Sequence, residues 1–311
     1  MYRVSTAFHT AFADYGREIK GKVIFNGQTE LDGDYVQEIT ATPAFDSSDG
    51  ISVGSACSGR CKIRIYKPDE PLQLSGGYFV PYIGIYVPGG DTGTTAIAGQ
   101  AVAGKAIAGV STAASVVEYV PLGRYYIPAD GVDNLAYGWE ITGYDQMASL
   151  TEQYTPQIEF PATPDAMLTD LCAQSGLTPP TVTFPDMTIE SVFEGTVRQQ
   201  LGWLAGLCGQ SAHFDRDGNL VFKWYAKTTF QVGRDQQYMS GLTRTADGLY
   251  TVSSLTTGTE DEPITSGTGL GITSTNPYMN QAVADLIQPE LEISFQPCDV
   301  KWRCDPSVEV G

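Results

Sequence analysis

Residues 196–225, TVRQQLGWLAGLCGQSAHFDRDGNLVFKWY, hold a complete supersecondary unit within thirty positions. Leu201, Leu204, Ala205, Leu207 and Cys208 recur at helical spacing, and Gly209 follows them as a C-terminal stop. From Ala212 the pattern becomes extended. Asp217-Gly218 supplies a positive-φ turn between Ala212-His213-Phe214 and a second strand over 220–224, whose alternation places Leu220, Phe222 and Trp224 on one face.

Outward from this unit the chain divides in three. Residues 1–145 predict a β domain, with strands over 20–25, 35–42, 61–66, 78–87, 116–127 and 138–144 and a turn at Asn26-Gly27. Their spacing and turn chemistry favour a barrel or sandwich over βαβ units. Residues 146–227 predict a small α/β domain: a short helical exit over 147–154, a helix over 165–174 with Pro164 in its first turn and Gly176 at its end, and the opening unit. Residues 228–311 return to strands over 228–232, 249–257 and 290–295. The Gly/Ser/Thr-rich stretch 258–275 is a long loop or twisted hairpin, and Pro277 opens a helix with Ala282, Val283, Leu286 and Ile287 as its buried stripe.

The opening unit, together with GYDQMASL at 143–150, TPDAMLTDLCAQSGL at 163–177 and NPYMNQAVADLI at 276–287, resembles the bacteriophage and prophage tail hub family. That family includes baseplate hub proteins and the hub-like amino-terminal parts of tail-associated lysins and tail tip proteins. The order of the motifs carries the resemblance, not any one of them. It implies an α+β, mainly β fold in which two β-barrel-like modules, 1–145 and 228–311, flank the small α/β domain. It further implies a homotrimeric ring closing the tail tube, with the tube or distal tail ring and a tip or spike protein as partners, and a virion tail assembled in the bacterial cytoplasm. Against the family pattern, CDVKWRCDPSVEVG at 298–311 stops before the second barrel closes, so the last strands are expected to fray or to pair with a neighbour; a lysin domain downstream of Gly311 is compatible.

Composition agrees with a turn-rich β protein: 34 Gly, 18 Pro and 17 Tyr in 311 residues, 42% of them apolar. Eighteen basic against 36 acidic residues leave a net charge of −18. Gripping nucleic acid needs cations to neutralise phosphates, so DNA would pass such a chain without being held, and an acidic channel wall would let it slide. No signal peptide is evident in MYRVSTAFHTAF. Six cysteines (57, 61, 172, 208, 298 and 304) are too few for a disulfide scaffold and are expected to be reduced, with Cys172 and Cys208 on apolar helix faces.

The chemical signatures mostly fail. Gly99 to Ala106 is one residue short of a phosphate-binding loop, lacks its hydroxyl and follows no buried strand. Gly267-Thr-Gly-Leu-Gly271 has no strand before it and no helix immediately after it. The Gly/Ala-rich insertion 88–115 reads as a loop between two arms of a hairpin. Its stretch 97–117 has only Gln100 and Lys105 strongly polar, but Gly and Ala give little transfer energy and a central Lys opposes insertion, so membrane contact is disfavoured. Asp215-Arg-Asp217-Gly-Asn219 lacks the Gly and the acid of a helix-loop-helix calcium site. His9 and His213 are far apart, and nothing pairs His213 with a nucleophile. The sequence therefore assigns no catalytic, cofactor-binding or metal-ligating residue and predicts no enzyme within 1–311. The alternative function is a cell-surface adhesin or carbohydrate-binding β protein, for which Tyr78, Phe79, Tyr82, Tyr86, Tyr119, Tyr125 and Tyr126 would be stacking platforms. A hydrolase would need a matched carboxylate pair in one cleft.

Overall fold

The computed structural model describes residues 1–14, 16–43, 51–69, 71–87, 116–226, 231–232, 237–244, 248–296, 298–303 and 305–311. It is an α+β chain, mainly β. The pattern of residues 1–145 marks strands alone, yet Ser5 opens a helix, α1 (Thr6–Ala13), its hydroxyl accepting the Phe8 amide at 3.0 Å. Phe8 and Phe12, one turn apart, anchor this helix on Ile85, Val87 and Val120.

Among the described residues nine strands follow: β1 (Ile19–Phe25), β2 (Thr29–Leu31), β3 (Val36–Thr42), β4 (Arg60–Tyr66), β5 (Tyr78–Val87), β6 (Val116–Pro121), β7 (Tyr125–Tyr126), β8 (Val132–Leu135) and β9 (Gly138–Tyr144). They form one antiparallel sheet with the hydrogen-bonded path β2-β1-β5-β7-β9-β4-β3, β6 lying on β5 and β8 on β9. Asn26 and Gly27 both take positive φ in the turn after β1. The strand expected over 116–127 splits instead. Pro121 has no amide to continue the ladder, and Gly123, at φ 132°, redirects the chain so that β7 bridges β5 and β9.

The apolar face of the sheet is closed by aromatic rings laid over glycine. Phe25 and Phe79 are register partners with ring centroids 6.0 Å apart, and Phe79 lies 5.8 Å from Tyr125. A Cβ on Gly143 would stand 2.7 Å from Phe79 Cε1 and 2.9 Å from Tyr125 Cβ, so these rings fill the interior only because position 143 carries no side chain. The sheet also curls. A Cβ on Gly21 of β1 would lie 3.5 Å from Ile39 of β3, bringing two strands of one sheet that share no ladder into side-chain reach.

A four-residue 3-10 turn (Gln146–Ser149), shorter than the exit expected over 147–154, leaves β9. Thr163 caps α2 (Pro164–Gln174), which ends before Gly176 at φ 65°. Thr196 and Gln199 form a reciprocal capping box at the start of α3 (Val197–Leu207), and Gly209 follows at φ 67°. The hairpin pairs β10 (Ser211–Phe214) with β11 (Leu220–Lys223). Its loop differs from the expected two-residue turn: Asp215 N donates to Asn219 O and Gly218 N to Asp215 O, and Gly218 takes the positive φ without Asp217. Trp224 lies past the strand, partly buried on the same core as Leu220 and Phe222.

Segment 51–56, from the chain before β4, enters this unit. Gly54 N donates to Gln210 O and Ala212 N to Ser55 O, both at 2.8 Å, and Val53 is buried in the α/β core. Helix α3 approaches backbone to backbone, since a Cβ on Gly202 would sit 2.5 Å from Gly54 O.

Beyond residue 226, the expected strand over 228–232 lies largely outside the described residues. The later elements are β12 (Gln237–Arg244), β13 (Tyr250–Val252), β14 (Ser254–Gly258), β15 (Pro263–Gly267), β16 (Gly271–Thr273), α4 (Gln281–Ile287), β17 (Ile293–Phe295) and β18 (Cys298–Trp302). Among the described residues these strands form three separate ladders, β12-β18, β13-β17 and β15-β14-β16. The stretch 258–275 is therefore a hairpin whose third strand returns parallel to β14. Helix α4 starts four residues later than the Pro277 expectation, because Asn280 caps it through Val283 N. Its buried stripe is Val283, Ala284 and Ile287, whereas Ala282 and Leu286 face outward.

Candidate functional site

A cavity of about 580 Å³ opens where the sheet, the β10–β11 hairpin and segment 305–310 meet. Its floor comes from the turn at Leu122, Gly123 and Arg124, and its wall from His213, Phe214 and Arg216 on the hairpin. The third side is the carboxy-terminal segment. Arg216 draws that segment in by donating from its two terminal nitrogens to the carbonyls of Pro306 and Val308, and Lys223 Nζ donates to Val310 O at 2.7 Å. Gly311 O accepts from Ala226 N at 2.8 Å, and Ser307 O accepts from Tyr2 N at 2.8 Å. Against the expectation of frayed ends, the last residues are tied to both the hairpin and the amino terminus.

The acids around the cavity are committed to their own surroundings. Asp145 accepts from Gly59 N at 2.6 Å, Ser58 Oγ at 2.9 Å and Met147 N at 3.0 Å, which fastens the end of β9 to the loop before β4. Burial raises its pKa, and those three donors oppose the rise. Asp215 accepts from Asp217 N, Asn219 N and Asn219 Nδ2, all within its own turn. Asp305 meets His9 Nδ1 at 3.3 Å and accepts from Ser307 N, and Glu309 meets the Met1 ammonium at 3.1 Å. Arg124 differs. Its Nε is buried with no hydrogen-bonding protein acceptor, and its guanidinium lies 5.2 Å from the centre of the Tyr78 ring.

His213 is buried, 5% exposed, and burial followed by the nearby Lys223 charge pushes its pKa down to about 4. The ring is neutral at pH 7. Burial likewise pushes the Cys61, Cys172 and Cys208 thiols up to about 12, so none is a ready thiolate nucleophile. Cys172 is buried on α2 as expected, whereas Cys208 is the C-cap of α3.

The structure disperses the other residues singled out in the sequence. Gly99 to Ala106, the insertion 88–115 and most of stretch 97–117 lie outside the described residues. Gly267 to Gly271 is the β15–β16 link, so against the expectation a strand does lead into it; a Cβ on Gly267 would meet Ser253 O at 2.2 Å, and that glycine serves close backbone approach. The Asp215 turn is closed on itself. Several tyrosine faces expected as sugar platforms already carry cations: Lys22 Nζ sits 5.3 Å from Tyr82 and 4.4 Å from Tyr119, and Lys20 Nζ 5.3 Å from Tyr86. Phe79 and Tyr125 are core residues. Among the described residues no group of His, Cys, Asp and Glu is placed to hold a metal ion, and no helix is long and apolar enough to cross a membrane.

Apart from His213, which it weighed and set aside, sequence reasoning missed the residues that build this cavity. Arg124, His213, Arg216, Lys223 and Val310 come from three distant stretches, and no local spacing links them; the one local signal was the DRDGN turn, which places Arg216.

No protein-family model and no curated protein matches the chain. Among solved structures it is similar to a tail protein from Neisseria meningitidis, with TM-score 0.45 and 14% identity over 86% of this chain and 74% of that one. It is also similar to the 43 kDa tail protein of prophage MuSo2 from Shewanella oneidensis, with TM-score 0.43 and 12% identity over 87% and 77%. At these values the likeness fixes neither fold nor function.

Proposed function

We propose that the chain is a structural protein of a phage or prophage tail, a hub subunit that assembles as a homotrimeric ring between the tail tube and the tip. The reading rests on the ordered motifs of the sequence. The observation that carries it furthest is that the four motifs, spread along the chain, lock into one buried assembly. Gln200 of α3 donates from Nε2 to Phe193 O at 2.7 Å and accepts from Tyr278 OH at 2.8 Å. Asn276 Nδ2 donates to Trp203 O at 2.8 Å, and the Tyr278 ring packs edge-on against Trp203 at 5.8 Å. Residues 276–278 of the NPYMNQAVADLI motif thus hold α3, while α2 and the GYDQMASL turn pack on the same core through Leu168, Leu171 and Met147. Such a unit is a rigid spacer between strand-bearing regions, and its task is geometric.

In this reading the two strand-bearing regions give a trimer six faces toward a hexameric tube. The 237–302 ladders, with Leu242, Leu249 and Leu270 outward, are the surfaces a neighbouring subunit covers. DNA passes the ring without being bound, in keeping with the −18 charge. Light scattering on the full chain, alone and with its tail tube protein, tests this. The expected particle has three times the 33.5 kDa chain mass. A chain that stays monomeric in both conditions overturns the ring.

A further inference from the structure

We propose that the tip of the β8–β9 hairpin is a knob that seats in the cavity of a neighbouring copy of this chain, so that copies join head to tail. The inference rests on the ring reading and adds the contact that gives the ring its direction. The knob is the two-residue turn Ala136-Tyr137, where Tyr137 is 83% exposed. Gly138 pairs with Leu135 on one side and with Tyr66 of β4 on the other, so those two side chains stand on one face of the sheet; they are 45% and 49% exposed. The tip is braced. Trp139 Nε1 donates to Asn134 Oδ1 at 3.1 Å across the hairpin, and Lys67 N donates to Tyr137 O at 3.4 Å, tying the turn to the chain after β4. A braced aromatic tip loses little freedom on docking, which suits an interface anchor.

The cavity is the matching socket. It lies beyond the far end of β9, where Asp145 lines it, so the length of the strand, about 20 Å, separates it from the tip at Gly138. Knob and socket are therefore unlike surfaces at opposite ends of one strand, and a contact between them closes into a ring when the rotation allows. The cavity's volume of about 580 Å³ has room for the Tyr137 ring and the Leu135 side chain together, against a wall of Ile39, Ile83, Leu122, Phe214, Val308 and Val310. Charge selects the same pairing. Copies carrying −18 each repel one another, so they meet best where charge is absent or already compensated. Residues 134–138, NLAYG, carry no charge. In the cavity Asp145, Asp215, Asp305 and Glu309 each hold protein donors, and Arg216 and Lys223 donate to carbonyls of the carboxy-terminal segment.

Sedimentation of the full chain, with and without its tail tube protein, tests the contact through two variants. Tyr137→Asp blunts the knob and keeps the socket; Val310→Trp fills the socket and keeps the knob. Each alone should need about a tenfold or higher concentration to associate, the loss expected for one buried aromatic anchor. An equimolar mixture of the two should form particles of two chains and no larger, because one intact knob finds one intact socket and both remaining ends are blocked. In the unsubstituted chain, amide hydrogen exchange at 134–138 and at 305–310 should slow together as concentration rises, which keeps the test open if a variant fails to fold. Unchanged association of folded Tyr137→Asp, no dimer from the mixture, or slowed exchange at fewer than both segments overturns the knob, and leaves the ring standing if three copies still form. A chain that is monomeric in every condition overturns both.

Discussion

The strands of residues 19–144 and those of residues 237–302 solve the same problem differently. In the first region nine strands share one hydrogen-bonded network and turn their rings onto a common interior, so that Phe25, Ile63, Phe79 and Ile141 are each 1% exposed or less. In the second, the described residues form three short ladders that share no strand, and Leu249 is left 71% exposed. A continuous ladder satisfies its backbone and buries its apolar residues within one chain; separate ladders leave edges and apolar side chains for something else to cover. The first region is built for stability. The second, in the proposed reading, is built for assembly.

That contrast breaks most readily in the sheet. Gly143→Val inserts a side chain where Phe79 Cε1 already stands 2.7 Å from the nearest possible Cβ, and should cost about 3 kcal/mol or more in urea unfolding. An unchanged midpoint would mean that the ring-over-glycine interior is not what holds the sheet.

The junction between the regions should respond to pH through His213. Its folded pKa, about 4, lies below its unfolded value near 6.5. As pH falls from 6.5 toward 4 the unfolded chain takes up the proton first, so stability drops across that window and the loss is complete below it. At most this is about 3 kcal/mol. His213→Phe should flatten the slope between pH 6.5 and 4; an identical slope in the variant would assign it to other groups.

Gln200→Ala removes both bonds that tie α3 to Phe193 O and Tyr278 OH, leaving buried polar groups unsatisfied, and should cost about 1–3 kcal/mol. A smaller loss would mean that the motifs are held by apolar packing alone. Leu249→Ser should change monomer stability by no more than about 0.5 kcal/mol, as for an exposed site, yet reduce the trimer fraction in light scattering. A large stability loss would show that the second region buries Leu249 within its own chain.

The sequence exposed what is local. The period shift after Gly209, the proline in the first turn of α2 and the alternation of 138–144 all mark real elements, because caps, glycines and apolar spacing act within a few residues. Reading failed where distant chain decides. Pro121 and Gly123 split a strand in order to bridge β5 and β9, Asn280 rather than Pro277 starts α4, and Leu286 faces out although its spacing fits a buried stripe. The cavity was illegible for the same reason: Arg124 meets the 215–219 turn and segment 305–310 only after the whole chain has folded. The entry of segment 51–56 into the α/β core left no signal either, since Val53 looks like any loop valine until Gly54 is laid against Gly202.

Electron cryomicroscopy of the tail that carries this chain tests the central claim most directly. The account predicts three copies around the tail axis, with the 19–144 sheet and the 237–302 ladders alternating around a channel and Leu249 covered by a neighbouring copy. A single peripheral copy, or a ring in which the 237–302 ladders face solvent, would contradict it.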